Sequence, residues 1–243
     1  MLQVENLTVT YPDGTRAVDG LTLHAAPGES IALVGANGAG KTSLLMALLG
    51  ILPAGGAVRI DGVTLESDTA AQIRQRAGLV FQDPDDQLFM PRLYDDLAFG
   101  LRNQGLTEAA AAARIDETLA TLGIAHLKEK TTLKLSGGEK RMAALACVLV
   151  MQPAVLLLDE PTAFLDPRAR RGLIRTLQGL SQTRLIATHD LAFAAQVCSR
   201  AVVLQSGRIA ADGPARTLLY DAAQMDACGV EAIGVDEKEL ARL

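Results

Sequence analysis

Eight residues constrain this chain more than any others. Gly35-Ala36-Asn37-Gly38-Ala39-Gly40-Lys41-Thr42 stands between an apolar strand, Ile31-Ala32-Leu33-Val34, and an apolar helix, Ser43 to Leu49. The run matches G-x-x-x-x-G-K-[ST], in which glycines let successive backbone N–H groups turn toward one anion and the following helix adds its positive end. The strand before it, the helix after it and the Lys-Thr at its end set it apart from a Gly-rich turn that holds nothing. The loop predicts a nucleoside triphosphate ligand. Gly35, Asn37, Gly38 and Gly40 form the cradle, Lys41 reaches the β- and γ-phosphates, Thr42 ligates Mg²⁺ and Ser43 serves the α-phosphate.

The carboxylates that complete such a site follow a second apolar run. Ala154-Val155-Leu156-Leu157-Leu158 has no polar alternation, the pattern of a parallel strand buried on both faces, and it delivers Asp159 and Glu160 to the carboxyl edge of the sheet. Ligands bind at that edge in open α/β sheets. Asp159 is suited to hold Mg²⁺, and Glu160 to polarise the attacking water as general base. Taken alone, the pair also reads as an acidic cap on the helix after Pro161; the phosphate loop upstream favours the chemical reading.

Leu135-Ser136-Gly137-Gly138-Glu139 decides the class of NTPase. With it the chain resembles the ATP-binding-cassette (ABC) ATPases: Tyr11, the phosphate loop, Gln82, Leu135 to Glu139, Val155 to Glu160 and His189 occur in that family's order, over roughly residues 2–215. The resemblance implies an α/β P-loop NTPase fold of ABC type, a parallel-sheet core with an antiparallel β flank and a helical subdomain. Ser136 and the two glycines open the helix Arg141 to Val150, so hydroxyl, free backbone donors and positive helix end make a second anion site. One chain does not need two γ-phosphate sites for one nucleotide. The family's answer is a head-to-tail pair, in which Ser136, Gly137 and Gly138 of one subunit close on the ATP of the other.

The remaining roles are also implied by the resemblance. His189 matches the family's switch histidine, contacting the γ-phosphate and orienting Glu160 or the water with a side chain that titrates near neutral pH. Gln82 touches Mg²⁺ and the water and relays nucleotide state to a partner. Tyr11 stacks on adenine, although a strand-end tyrosine has the same look. Asp166 matches the loop across the dimer seam, with Ala163 and Phe164 where small or hydroxylic residues are usual. The implied catalytic set is Glu160, His189, Gln82 and Lys41, with Thr42, Gln82 and Asp159 on the metal.

Composition narrows the partners. With 243 residues, 49% of them apolar, the chain buries a large core, suiting one α/β domain with a smaller subdomain. A net charge of −5 argues against a nucleic-acid or acidic-lipid footprint. Cys147, Cys198 and Cys228 are scattered without C-x-x-C spacing, so reduced thiols are expected and neither a disulfide framework nor a zinc site. The longest charge-free apolar run, Met142 to Met151, is short of a bilayer span, and Met1 to Glu5 opens no signal peptide. The resemblance to ABC ATPases implies a location at the cytoplasmic face of a bacterial or archaeal membrane, reached through partners.

Along the chain, Leu2 to Thr10, a Pro12-Asp13-Gly14 turn, Ala17 to His24, and Val58 to Ile60 before Asp61-Gly62 read as the antiparallel flank. From Val63 to Lys134 the pattern is helical, with an Ala-rich helix over Thr107 to Leu122 and no strand except Gly78 to Phe81. The helical subdomain is placed at about 81–133. Helix and strand alternate again from Leu135 to Leu204. The cassette is expected over 1–215 and a C-terminal helical extension over 216–243, with Gly207 to Leu243 holding a short hairpin and acidic helices.

After Gln82, Asp83-Pro84-Asp85-Asp86-Gln87-Leu88-Phe89 is a tight acidic turn into a short helix, and the next helix carries Tyr94 to Gly100. With Ser136-Gly137-Gly138-Glu139-Lys140-Arg141, this resembles the ATPases of energy-coupling-factor importers, above all those for cobalt and nickel; Met142 stands where many relatives carry Arg. In that group the stretch after the switch glutamine packs against a transmembrane coupling subunit. No His or Cys accompanies the aspartates at ligand spacing, so the turn reads as a docking surface, with cargo recognition on another subunit. His24 and His126 read as surface or packing residues. The resemblance thus implies ATP and Mg²⁺ as ligands, a homodimer of cassettes, and a coupling subunit and a substrate-binding membrane subunit as partners, without nucleic acid. Motors for a vitamin, an amino acid or an exported lipid would look alike. A soluble cassette for DNA repair needs a coiled-coil insertion and a ribosomal one a second cassette, for which 243 residues leave no room.

Overall fold

The computed structural model describes residues 1–234. The first part of the chain runs β1 (Leu2–Thr10), β2 (Arg16–Ala25), β3 (Ser30–Val34), α1 (Lys41–Leu48), β4 (Gly55–Ile60), β5 (Val63–Thr64), α2 (Ala70–Arg76) and β6 (Ala77–Val80). Helices α3 (Leu93–Asn103), α4 (Glu108–Thr121) and α5 (Gly137–Leu149) follow. Then come β7 (Val155–Asp159), α6 (Pro167–Gln178), β8 (Thr183–Ala187), α7 (Leu191–Val197), β9 (Arg200–Gln205), β10 (Arg208–Pro214), α8 (Ala215–Leu218) and α9 (Ala222–Ala227).

The strands make two sheets. An antiparallel sheet has the order β2-β1-β4-β5, and a second sheet the order β10-β9-β3-β8-β7-β6, parallel except for β10. In β1 the buried set Leu2, Val4 would fall out of phase with Leu7, Val9; Asn6, at φ +49, takes up the extra residue and resets the alternation. The hairpin expected at Asp61-Gly62 forms, both residues at positive φ as a two-residue turn requires. Its return strand β5 corrects the helical reading of Val63 onward. Val63 and Thr64 are β-branched and pair with Ile60 and Arg59, so turn geometry overrides the pattern of the longer segment.

Period-two alternation divides the parallel strands between two cores. Ile31, Leu33, Val155, Leu157, Leu185 and Ala187 face α1 and the antiparallel sheet, while Ala32, Val34, Leu156, Leu158 and Ile186 face α5, α6, α7 and α8. A third core joins α3 and α4 to the opposite side of α5, through Ala143, Ala146 and Val150. Helix α5 is therefore shared between two cores, and anything that moves it is felt by both.

Beyond β10 the helices α8 and α9 are short, and they carry one arginine and one aspartate, Arg216 and Asp226, so the acidic helices expected here are not found among the described residues. The acidic stretch itself, with Asp236, Glu237 and Glu239, lies outside them. After α9 the chain runs through Gly229 to Gly234, with Val230, Ala232 and Ile233 packed on the second core.

Candidate functional site

Four parallel strand ends meet at one edge. β3, β8, β7 and β6 are neighbours in register, Leu33 and Asp159 both opposite Ala187 and Val80 opposite Leu158, so the residues that follow emerge side by side. There the surface opens into a cleft of about 1130 Å³ lined by the phosphate loop, Tyr11, Gln82, Asp159, Glu160 and His189. Candidates more than a hundred residues apart in sequence thus share one wall.

The loop closes tightly on its neighbours. Gly40 precedes α1 at φ +103, where a Cβ would collide with the Ala17 carbonyl oxygen, and a Cβ on Gly35 would strike that of Leu204. Only glycine fits either position. Lys41 Nζ donates to the carbonyls of Gly35 at 2.7 Å and Ala36 at 3.1 Å. Burial pushes its pKa below the ordinary value, while Glu160 and Asp159 pull it back. Tyr11 points its hydroxyl at Ser43 Oγ, 3.0 Å away, which ties the ring to the first turn of α1.

At the end of β7, Thr42 Oγ1 donates to Asp159 Oδ2 at 2.7 Å. Burial raises the Asp159 pKa, the Thr42 bond opposes this, and the adjacent Glu160 charge adds to the rise. The charge of Lys41 draws it back down in part. Glu160 sits at φ +43, a conformation that L-residues rarely take, held by its N–H to the Ala187 carbonyl at 2.8 Å. Its side chain is 9% exposed, and Oε2 collects three contacts: the Thr188 hydroxyl at 3.2 Å, the His189 N–H at 3.2 Å and His189 Nδ1 at 2.9 Å. The His189 ring is 69% exposed and therefore free to meet a ligand.

Several contributors were not read from the sequence. Thr188 orients Glu160 and accepts the Asp190 N–H at 3.0 Å; Asp190 caps α7 and is gripped by Arg170 of α6 at 2.8 and 2.9 Å. Gly229 to Ile233 also line the cleft. A Thr-His-Asp run after a buried strand is a signal that could have found Thr188; nothing local marks Arg170 or the late segment.

Ser136, Gly137 and Gly138 are not among the residues lining the cleft, so this chain does not bring them to its own phosphate loop. Ser136 is the N-cap of α5 in a capping box: its hydroxyl accepts the Glu139 N–H at 3.3 Å and its own N–H donates to Glu139 Oε2 at 2.8 Å. The Ser136 N–H is thus engaged, and Glu139 places a carboxylate at the positive helix end. Among the described residues the N–H groups of Gly137 and Gly138, in the first turn, have no hydrogen-bond partner. Asp166 caps α6, and Phe164 beside it is 91% exposed at φ +61.

A model of the ABC transporter family matches residues 18–163. The chain belongs to that family. Within it this is an ATP-hydrolysing cassette. It is 42% identical to the cobalt import ATP-binding protein CbiO of Rhodobacter capsulatus, over 100% of this chain and 89% of that one. It is likewise 42% identical to the energy-coupling factor transporter ATP-binding protein EcfA of Methanothermobacter thermautotrophicus, over 91% of this cassette and 73% of that protein. Among solved structures, CbiO1 of Clostridium perfringens, part of the ABC transporter complex cbiONQ, superposes with a TM-score of 0.83 at 37% identity, covering 93% of each chain. A dimeric ATP-binding cassette in a post-hydrolysis state bound to ADP and Pi gives 0.78 at 25% identity, over 89% of this cassette and 99% of the other. Among the described residues no helix is long and apolar enough to cross a membrane.

Proposed function

We propose that this cassette powers a membrane importer of cobalt or nickel ions by head-to-tail dimerisation on ATP. The observation that carries the cargo is the likeness to the cobalt import protein of Rhodobacter capsulatus along the whole chain. The engine is argued from the cleft. Lys41 leaves the Gly35 and Ala36 carbonyls for the β- and γ-phosphates; Gly35, Asn37, Gly38, Gly40 and Ser43 hold the rest of the chain of phosphates, and Tyr11 the base. Thr42 and Asp159 offer two hard oxygens 2.7 Å apart, close to the roughly 2.9 Å between adjacent ligands of an octahedral Mg²⁺. The residues therefore fit the ion, with Gln82 as a further ligand. Mg²⁺ bound there would neutralise charge on the β- and γ-oxygens.

Glu160 takes a proton from the attacking water, and Oε2, held by Thr188 and His189, fixes the carboxylate while it does so. His189 meets the γ-phosphate. Ser136, Gly137 and Gly138 of the second copy close the far side, so the γ-phosphate is the element both halves share and its loss relaxes the seam. We read 1–215 as the nucleotide-binding domain, with the helical subdomain at about 81–133 and the rest as an extension. Partners would be a transmembrane coupling subunit, docked at the turn after Gln82, and a substrate-binding membrane subunit, which places the cassette peripherally at the cytoplasmic face of the membrane.

The test is co-expression with membrane subunits. The cassette should copurify with them from detergent extracts, and cells carrying Lys41→Ala should lose Co²⁺ or Ni²⁺ uptake. Parental uptake of both ions in those cells, with uptake of a vitamin or an amino acid lost instead, would give the motor another cargo.

A further inference from the structure

Arg141, in the second turn of α5, is 1% exposed. Its partners among the described residues are two backbone carbonyls: Nη1 donates to Phe81 at 2.7 Å and Nη2 to Gln82 at 2.6 Å, while Nε is buried and has none there. Burial lowers its pKa, and the charge of Asp83 partly restores it. A buried charge facing neutral acceptors is unfavourable for packing alone, since an apolar side chain of the same reach would fill that space without desolvation.

Two more side chains make the same connection. Gln87 accepts the Phe81 N–H at 3.3 Å and donates to the Ala144 carbonyl at 2.7 Å. Lys140 Nζ meets the two oxygens of Asp85 at 2.6 and 2.8 Å. Among the described residues, every hydrogen bond that leaves the stretch from Phe81 to Leu88 ends on α5. Gln82, at the cleft and two residues past β6, is thus hydrogen-bonded through its backbone to the helix that begins at Ser136.

We propose that Arg141 is a positioning residue that fixes Gln82 to α5, so that engagement of Ser136 by the partner's nucleotide sets the place of Gln82 at this chain's own nucleotide. The inference rests on the head-to-tail reading and on the role given there to Gln82. The guanidinium makes the link stiff, because its planar fork holds two successive carbonyls at once. A displacement at the N-terminus of α5 then reaches Gln82 without first crossing the parallel sheet.

The experiment is a double-mutant cycle on the purified full chain, read as kcat, half-saturating ATP and the Hill coefficient. Arg141→Met should lower kcat roughly 10- to 100-fold through misplacement of Gln82, leave nucleotide binding to the monomer unchanged, and bring the Hill coefficient to about one. In a Gln82→Ala background the same change should cost less than about twofold, as expected of residues acting through one another. Arg141→Lys, which reaches one carbonyl, should fall between parent and Met. Equal losses in both backgrounds, or a loss confined to ATP affinity or melting temperature, would overturn the proposal while leaving the role of Gln82 intact. A Gln82→Ala protein with parental kcat would remove the underlying reading and the proposal with it. If Arg141→Met does not fold, Gln87→Ala breaks the second tie and should lower kcat by the same route, less deeply; unchanged kcat there also counts against the link.

Discussion

Replacing Glu160 by Gln tests the chemistry of the cleft at its most specific point. The two side chains have the same shape, and one amide oxygen can accept the three contacts that converge on Oε2, from the Thr188 hydroxyl and the N–H and Nδ1 of His189. Both residues bear the strain of φ +43 equally, so the fold should lose little. The charge is another matter. Glu160 raises the pKa of Asp159, so its neutralisation lets Asp159 ionise more readily, and ATP·Mg²⁺ binding should be kept or tightened. Loss of a general base costs about 10²–10⁴-fold in rate, or about 2.7–5.4 kcal/mol of barrier at 1.36 kcal/mol per decade. Phosphate release at saturating ATP measures the rate, and equilibrium dialysis with labelled ATP measures the binding. With binding kept and turnover removed, an ATP-bound dimer should accumulate in sedimentation. Turnover at the parental rate would refute the role of Glu160, and loss of ATP binding would refute the claim that only charge was changed.

Three further outcomes are expected. Ser136→Arg, placed in the Glu160→Gln protein, should spare ATP binding by the monomer and abolish the sedimenting dimer; a dimer that persists contradicts the head-to-tail closure. Glu139 is held at a pKa of about 2, below its usual 4.5, first by the backbone N–H of Ser136 and then by Lys130, so its contribution is complete above pH 4.5 and is lost as pH falls toward 2. Glu139→Gln should therefore lower stability by about 1 kcal/mol at pH 7, with urea melts converging below pH 3; a gap that widens on acidification would be wrong in sign. Asp86→Lys should leave the ATPase of the isolated cassette within about twofold while weakening copurification with the membrane subunits, and calorimetry without nucleotide should detect no tight Co²⁺ or Ni²⁺ binding by Asp83, Asp85 and Asp86.

Asp86 is chosen over Asp83 and Asp85 for a structural reason. From the sequence Asp83, Asp85 and Asp86 look alike, yet Asp83 caps the Asp85 N–H and Asp85 is bound to Lys140, fifty-five residues away. Local chemistry was legible: the phosphate loop, the buried strand before Asp159, and the Asp61-Gly62 turn each write their geometry into a few consecutive residues. Pairings at a distance were not. The order β10-β9-β3-β8-β7-β6 and the grip of Arg170 on Asp190 depend on elements whose meeting no local period encodes. Arg141 is the sharpest case, since a charged residue in a helix reads as solvated and here it lies in the interior. Gln82 lines the cleft, but only likeness to a family singles it out in the sequence; Arg141 carries no such mark.

The wall formed by Gly229 to Ile233 also gives the cleft a timetable. The phosphate loop is synthesised before the carboxylates, and this wall later still. At 5–20 residues per second, roughly 10–40 s separate the making of Gly35 from that of Gly229. Throughout that interval the nascent chain carries a phosphate loop whose cleft lacks a side. Ligand stabilises only what it can bind, so ATP contributes little to the early folding of the half that bears its own binding motif, and its full hold on the fold begins once the late segment has docked.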